Sequence, residues 1–151
     1  MAYLVRPEEV LDYWYDSVNQ NKTVLGFNYV GYADEEVLPE YPVVRISAGP
    51  KLQTYHATHK FLNVFNIVFW ILHANMGVGH RVRSREDMQL ATVLYEHLKA
   101  DMVMSKYSTD GSHGVIDSHV DDETPGYTPN DKGRVVVATR LSWTGRGQEV
   151  F

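Results

Sequence analysis

The stretch Phe61–His73 reads Phe-Leu-Asn-Val-Phe-Asn-Ile-Val-Phe-Trp-Ile-Leu-His. Almost every side chain in it is apolar, β-branched or aromatic, so wet and dry positions do not alternate. A strand with one wet face does alternate, because successive side chains point to opposite sides of a sheet. Here Phe61, Phe65, Ile67, Phe69 and Ile71 fall on one side, and Leu62, Val64, Val68, Trp70 and Leu72 on the other. Two arrangements satisfy such a strand. Either it is the centre of a sheet covered on both faces, or its second face is covered when copies of the protein assemble. A large exposed apolar surface normally marks a protein–protein interface, so the segment points to an oligomer.

The flanking sequence supplies the rest of a sheet and two helices. Pro7 with Glu8 and Glu9 opens a helix, since proline is tolerated in the first turn and acids there oppose the helix dipole. Val10, Leu11, Trp14 and Val18 give it one apolar stripe, and the polar run 19–22 ends it. Strands are expected over Thr23–Tyr32 and Tyr41–Ala48, the second stopped by Gly49-Pro50, with an acidic loop at 34–39 between them. Thr54–Ala74 reads as one long strand whose polar start, Thr54–Lys60, projects beyond the sheet. Ser84, with Asp87 three residues on, suggests a cap for a helix over Arg85–Met102. A loop over 105–114, a short strand over Val115–Val120, an acidic loop over Asp121–Gly133 and a strand over Arg134–Trp143 complete the order, before a polar tail from Thr144 to Phe151. Adjacent strands with short links favour antiparallel pairing. The expected fold is therefore a single α+β domain over residues 1–151. Its sheet is mostly antiparallel, of about four to five strands, with two helices packed on one face.

Composition narrows the chemistry. The 151 residues are 44% hydrophobic and include ten Tyr and three Trp, enough for a core without metal or disulfide staples. Cysteine is absent, which removes disulfides and thiolate ligands. The net charge of −5 argues against a protein that binds nucleic acid through a basic footprint. The first residues lack the charged-then-apolar order of a secretory signal, and the apolar run is far shorter than the ~20 residues that span a bilayer.

Seven histidines invite a metal or catalytic reading. His56 and His59 fall on opposite faces of a strand, which is poor for shared ligation. His73 and His80 flank a turn with no acid between them, and His97 fits a half-buried, hydrogen-bonded histidine beside a helix stripe. His113, Asp117, His119, Asp121 and Asp122 make the best metal-like cluster, although acids and histidines near a loop gather by chance. No Gly-x-Ser-x-Gly or phosphate-loop pattern occurs. No catalytic residue, cofactor site or metal site is expected.

Two stretches carry a resemblance. One is Trp70-Ile-Leu-His-Ala followed by Arg83-Ser-Arg-Glu-Asp-Met-Gln-Leu-Ala-Thr-Val-Leu-Tyr-Glu-His-Leu, and the other is the closing Arg134-Val-Val-Val-Ala-Thr-Arg-Leu-Ser-Trp-Thr-Gly. With the element order, residues 41–151 resemble the tail terminator proteins of long-tailed bacteriophages, also called tail completion or head–tail joining proteins. The resemblance implies a small α/β subunit of a homohexameric ring at the head-proximal end of the tail tube, without catalysis or cofactor. Such a ring ends tube polymerisation, contacts the tail tube protein and the head–tail connector or stopper, and lets phage DNA pass without specific binding. Its place is the virion neck, after assembly in the bacterial cytoplasm, with no membrane involved. The mild acidity suits such a pore, since basic groups would hold phosphates.

Interface candidates follow from expected exposure: Tyr55, His56 and His59 on the projecting strand end, and Arg140, Arg146 and Phe151 towards the C-terminus. A buried Trp70 would make Trp70→Ala cost ~3–5 kcal/mol of stability. Two other readings stand beside this one. One is another neck, connector or tail-tube component. The other is a small α+β cone enzyme or ligand-binding module with an aromatic pocket and Asp117 or His119 as general base.

Overall fold

The computed structural model of the chain describes residues 7–32, 42–49, 52–57, 60–74, 80–101, 114–129 and 135–150. Helix α1 spans Pro7–Gln20, with Glu8 and Glu9 in its first turn and Val10, Trp14 and Val18 fully buried along one stripe. A one-turn helix, α2, follows at Lys22–Leu25. Gly26 ends it in the left-handed conformation at φ 96°, donating its N–H to the Lys22 carbonyl at 2.9 Å. Glycine takes that conformation without the steric cost a side chain would bring. The strand expected from Thr23 is corrected accordingly: the chain is still helical there, and β1 covers only Tyr29–Tyr32.

Five more strands complete the sheet: β2 at Val43–Ala48, β3 at Leu52–Ala57, β4 at Lys60–Ala74, β5 at Gly114–Pro129 and β6 at Val135–Val150. They run in the order β1-β2-β4-β6-β5, with β3 also paired to β4. β1 and β2 are parallel, and every other pair is antiparallel. Helix α3 spans His80–Lys99. The α+β class stands, with six strands where five at most were expected.

The extra strand comes from the segment expected to be a single long strand. β2 lines one edge of β4 from Leu72 to Ile67, and β3 then folds back along the same edge from Val64 to Lys60. Thr54–Ala57 and Lys60 are thus held against the sheet and do not project from it. The chain after Val120 needs a second correction. Asp121–Pro129 and Thr144–Val150 were expected as loop and tail, yet they extend β5 and β6, because each supplies the other's hydrogen-bonding partner. A register shift between Asp121 and Thr124 takes up the acidic pair Asp122-Glu123 as a bulge. Pairing across the sheet here overrides weak local strand propensity. In α3, Ser84 lies inside the helix rather than at its cap. Met102 lies outside the described residues, as do the acidic loop at 34–39 and residues 105–113.

Both long helices pack on the same face of the sheet. Val10, Trp14 and Val18 of α1 meet Ala91, Leu94 and Leu98 of α3 over a floor of Val44, Ile46, Ile67, Phe69, Ile71, Leu141 and Trp143. Register explains the floor: Ile46 sits opposite Phe69 and Phe69 opposite Leu141, so one parity of three neighbouring strands faces the helices. Trp14 and Trp143 meet edge-to-face at 5.4 Å between ring centroids. Neither indole N–H has a hydrogen-bond partner among the described residues, so packing holds the pair. Gly145 lies beneath Trp143, and a methyl group there would overlap the six-membered ring of the indole.

Candidate interface on the open sheet face

The opposite parity of the same strands forms the second face of the sheet. Along β4, Val64, Asn66 and Val68 are half-buried and Trp70 is 37% exposed, whereas Phe65, Ile67, Phe69 and Ile71 between them are buried. The face closes at one end, where Val43 and Leu72, opposite each other in register, are buried. Next to them, Arg45, Trp70 and Arg140 occupy one row across β2, β4 and β6. Neighbouring strands lie ~4.8 Å apart, so the indole has an arginine on each side. Arg45 is half-buried and Arg140 exposed. The rows beyond bring Ser47, Val68 and Ser142, then Asn66 and Thr144, then Val64 and Arg146. Ser142 Oγ donates to Asn66 Oδ1 at 2.8 Å, tying β6 to β4 on this face. The result is an apolar strip with arginines at its margins, beyond which the β5 register sets Asp117 opposite Arg146 and Asp121 opposite Ser142.

The outer side of α1 has the opposite charge. Glu8, Asp12 and Asp16 recur four residues apart, all exposed, on a helix with no lysine or arginine of its own. Like charges at that spacing oppose each other by ~0.2–0.5 kcal/mol per pair. Tyr32 OH donates to Asp12 Oδ1 at 3.1 Å, and Tyr15 stacks on Tyr32 at 4.5 Å between centroids. Burial, the Asp12 hydrogen bond and the nearby charges of Asp12, Tyr15 and Asp16 push the Tyr32 hydroxyl up to about 12.

A polar seam joins α1 to α3. Ser17 Oγ and His97 Nε2 share a hydrogen bond of 2.9 Å, and Tyr13 OH donates to the Asp101 carboxylate. Burial holds His97 below its ordinary pKa, against the opposing pull of the Asp101 charge. Serine and histidine within reach resemble a nucleophile and base. Among the described residues the rest of that machinery does not gather around them. Ser17 sits in a helix interior, where backbone N–H groups are spent on the helix and none can stabilise an oxyanion. The Asp101 carboxylate is engaged by Tyr13. The shallow depression of about 290 Å³ lined by Gly26, Pro42, Glu86, Gln89, Leu90 and Val93 includes none of these residues. The seam is an interhelical clamp, and His97 is the half-buried, hydrogen-bonded histidine its position suggested.

Of the residues expected at an interface, Arg140 and Arg146 share the open face, both exposed. Tyr55 lies on the backbone of β3 opposite Phe61, with His56 beside it at the register shift. His59 and Phe151 lie outside the described residues, as does His113, and the side chains of Asp117, His119, Asp121 and Asp122 are likewise outside what is described. Among the described residues no three His, Cys, Asp or Glu gather as a metal site, and no helix is long and apolar enough to cross a membrane. The sequence reading missed Arg45. Its signal was present, since Arg45 falls between Val44 and Ile46 on the opposite parity of a half-buried strand. It also took Glu8 only as a dipole partner, although Glu8, Asp12 and Asp16 repeat at helical spacing. No protein-family model and no curated protein matches the chain.

Proposed function

We propose that the chain is a structural subunit of the phage tail terminator kind, forming a ring at the head-proximal end of the tail tube. The observation that carries the reading is the open face of the sheet. Val64, Val68 and Trp70 leave apolar surface in water on the side that no described helix covers, and subunit contacts are the ordinary way to cover such a strip. In this reading six copies close a ring that ends tube polymerisation and meets the tail tube protein on one side and the head–tail connector or stopper on the other. DNA passes through the opening without specific binding, which the net charge of −5 favours.

The test adds the purified chain to polymerising tail-tube protein from the same genome and follows the tubes by electron microscopy. Shorter tubes with extra ring density at one end are expected. Tubes that grow unchanged with bare ends overturn the reading.

A further inference from the structure

The open sheet face and the outer side of α1 are complementary surfaces of one molecule. The face centres on the Arg45–Trp70–Arg140 row, with Arg140 and Arg146 exposed beside half-buried valines. The α1 stripe of Glu8, Asp12 and Asp16 is exposed and has no basic residue within its helix. Within a chain the two cannot meet, because α1 packs on the helix-covered side of the sheet. Between chains they can.

We propose that the Arg45–Trp70–Arg140 face of one copy docks on the Glu8–Asp12–Asp16 side of α1 in the next, head to tail. Two different patches in contact make a heterologous interface, which propagates into a ring or a filament and does not stop at a dimer. Trp70 supplies a central apolar anchor and the arginines a charged margin, the usual division between the core and rim of an interface. The opposite charges of Arg140 and the α1 stripe also favour this direction over stripe against stripe, which repels. Nucleic acid is the weaker occupant for an arginine-flanked indole here, because the chain as a whole is negative. The inference deepens the ring reading and rests on it only for closure.

Two exposed charges allow a complementary test by sedimentation and light scattering, with circular dichroism to check folding. The wild-type chain is expected to form species larger than a dimer at high concentration, and more readily at low salt. Arg140→Glu alone and Asp16→Lys alone should each weaken association roughly tenfold, the scale of a charge reversed at an interface. An equimolar mixture of the two variants should recover it, because each altered patch then meets its new opposite and each unaltered patch its old one. A wild-type chain that stays monomeric or stops at a dimer overturns the proposal. So do variants that associate as the wild type does, a mixture that fails to recover, or a mixture that pairs only as dimers. Binding of a labelled DNA duplex that is lost in Arg140→Glu also overturns it, by giving the face another occupant. Tube capping by variants that no longer self-associate would remove this interface and leave the terminator reading standing. Recovery in the mixture without tube capping would do the reverse.

Discussion

The two sides of β4 carry almost the same kinds of side chain and live in different surroundings. Phe65, Ile67, Phe69 and Ile71 are buried under α1 and α3, while Val64, Val68 and Trp70 are left partly in water. Composition therefore does not decide which face of a strand is core. What decides it is which face has helices to receive it, and both long helices among the described residues lie on one side. The uncovered side keeps its apolar character without a cover from the described residues of its own chain. The contrast separates the face that holds the chain together from the face that stays partly in water.

Removing a tryptophan from each side breaks the comparison most sharply. Trp143 is fully buried against Trp14, so Trp143→Ala should cost about 3–5 kcal/mol in urea unfolding. Trp70 was expected to behave the same way if buried, but it is 37% exposed, and Trp70→Ala should cost about 1–2 kcal/mol while weakening self-association. Equal losses of stability would erase the distinction between the faces. A smaller effect comes from Gly145→Ala, which pushes a methyl group into the Trp143 ring and should destabilise by about 1–3 kcal/mol. A stability unchanged within error would show that the indole can shift freely in the core.

The smallest effect lies in the helix layer and depends on pH. Burial lowers the pKa of His97 in the folded chain below its ordinary value of 6.5. Below that value the unfolded chain binds the proton first, so protonation favours unfolding. Stability is present above the unfolded value and declines as pH falls through it. His97→Gln keeps a hydrogen-bonding side chain near Ser17 but cannot titrate. Its urea midpoint should fall less than that of the wild type between about pH 8 and about pH 5. An equal fall in both proteins would remove His97 as a contributor.

Much of the architecture was legible because it rests on patterns within one element. The stripe Val10, Trp14, Val18 and the run Phe61–His73 announce a helix and a central strand from spacing and composition alone. The errors fall where a partner decides the conformation. Asp121–Pro129 carries two prolines, a glycine and three acids, and it is extended because β6 lies beside it. The β3–β4 hairpin was hidden because nothing in the strand pattern of Thr54–Ala74 says where one strand stops and turns back. Of the open face, Arg140 and Arg146 were legible as exposed positions. The row that joins Arg140 to Trp70 and Arg45 was not, because cross-strand register is set by pairing between distant segments.

The length of the central pairing has a mechanical consequence. β4 and β6 face each other from Lys60–Val150 to Ala74–Val136, an antiparallel ladder ~50 Å long at ~3.4 Å per residue. Force applied along the strands loads all the rungs at once, and the ladder yields only when many break together. Force applied across them opens one rung at a time. A molecule anchored at opposite ends of β4 and β6 would be stiff and strong along that axis and comparatively easy to peel from the side. Tension along the strands is therefore the load that the β4–β6 pair resists best.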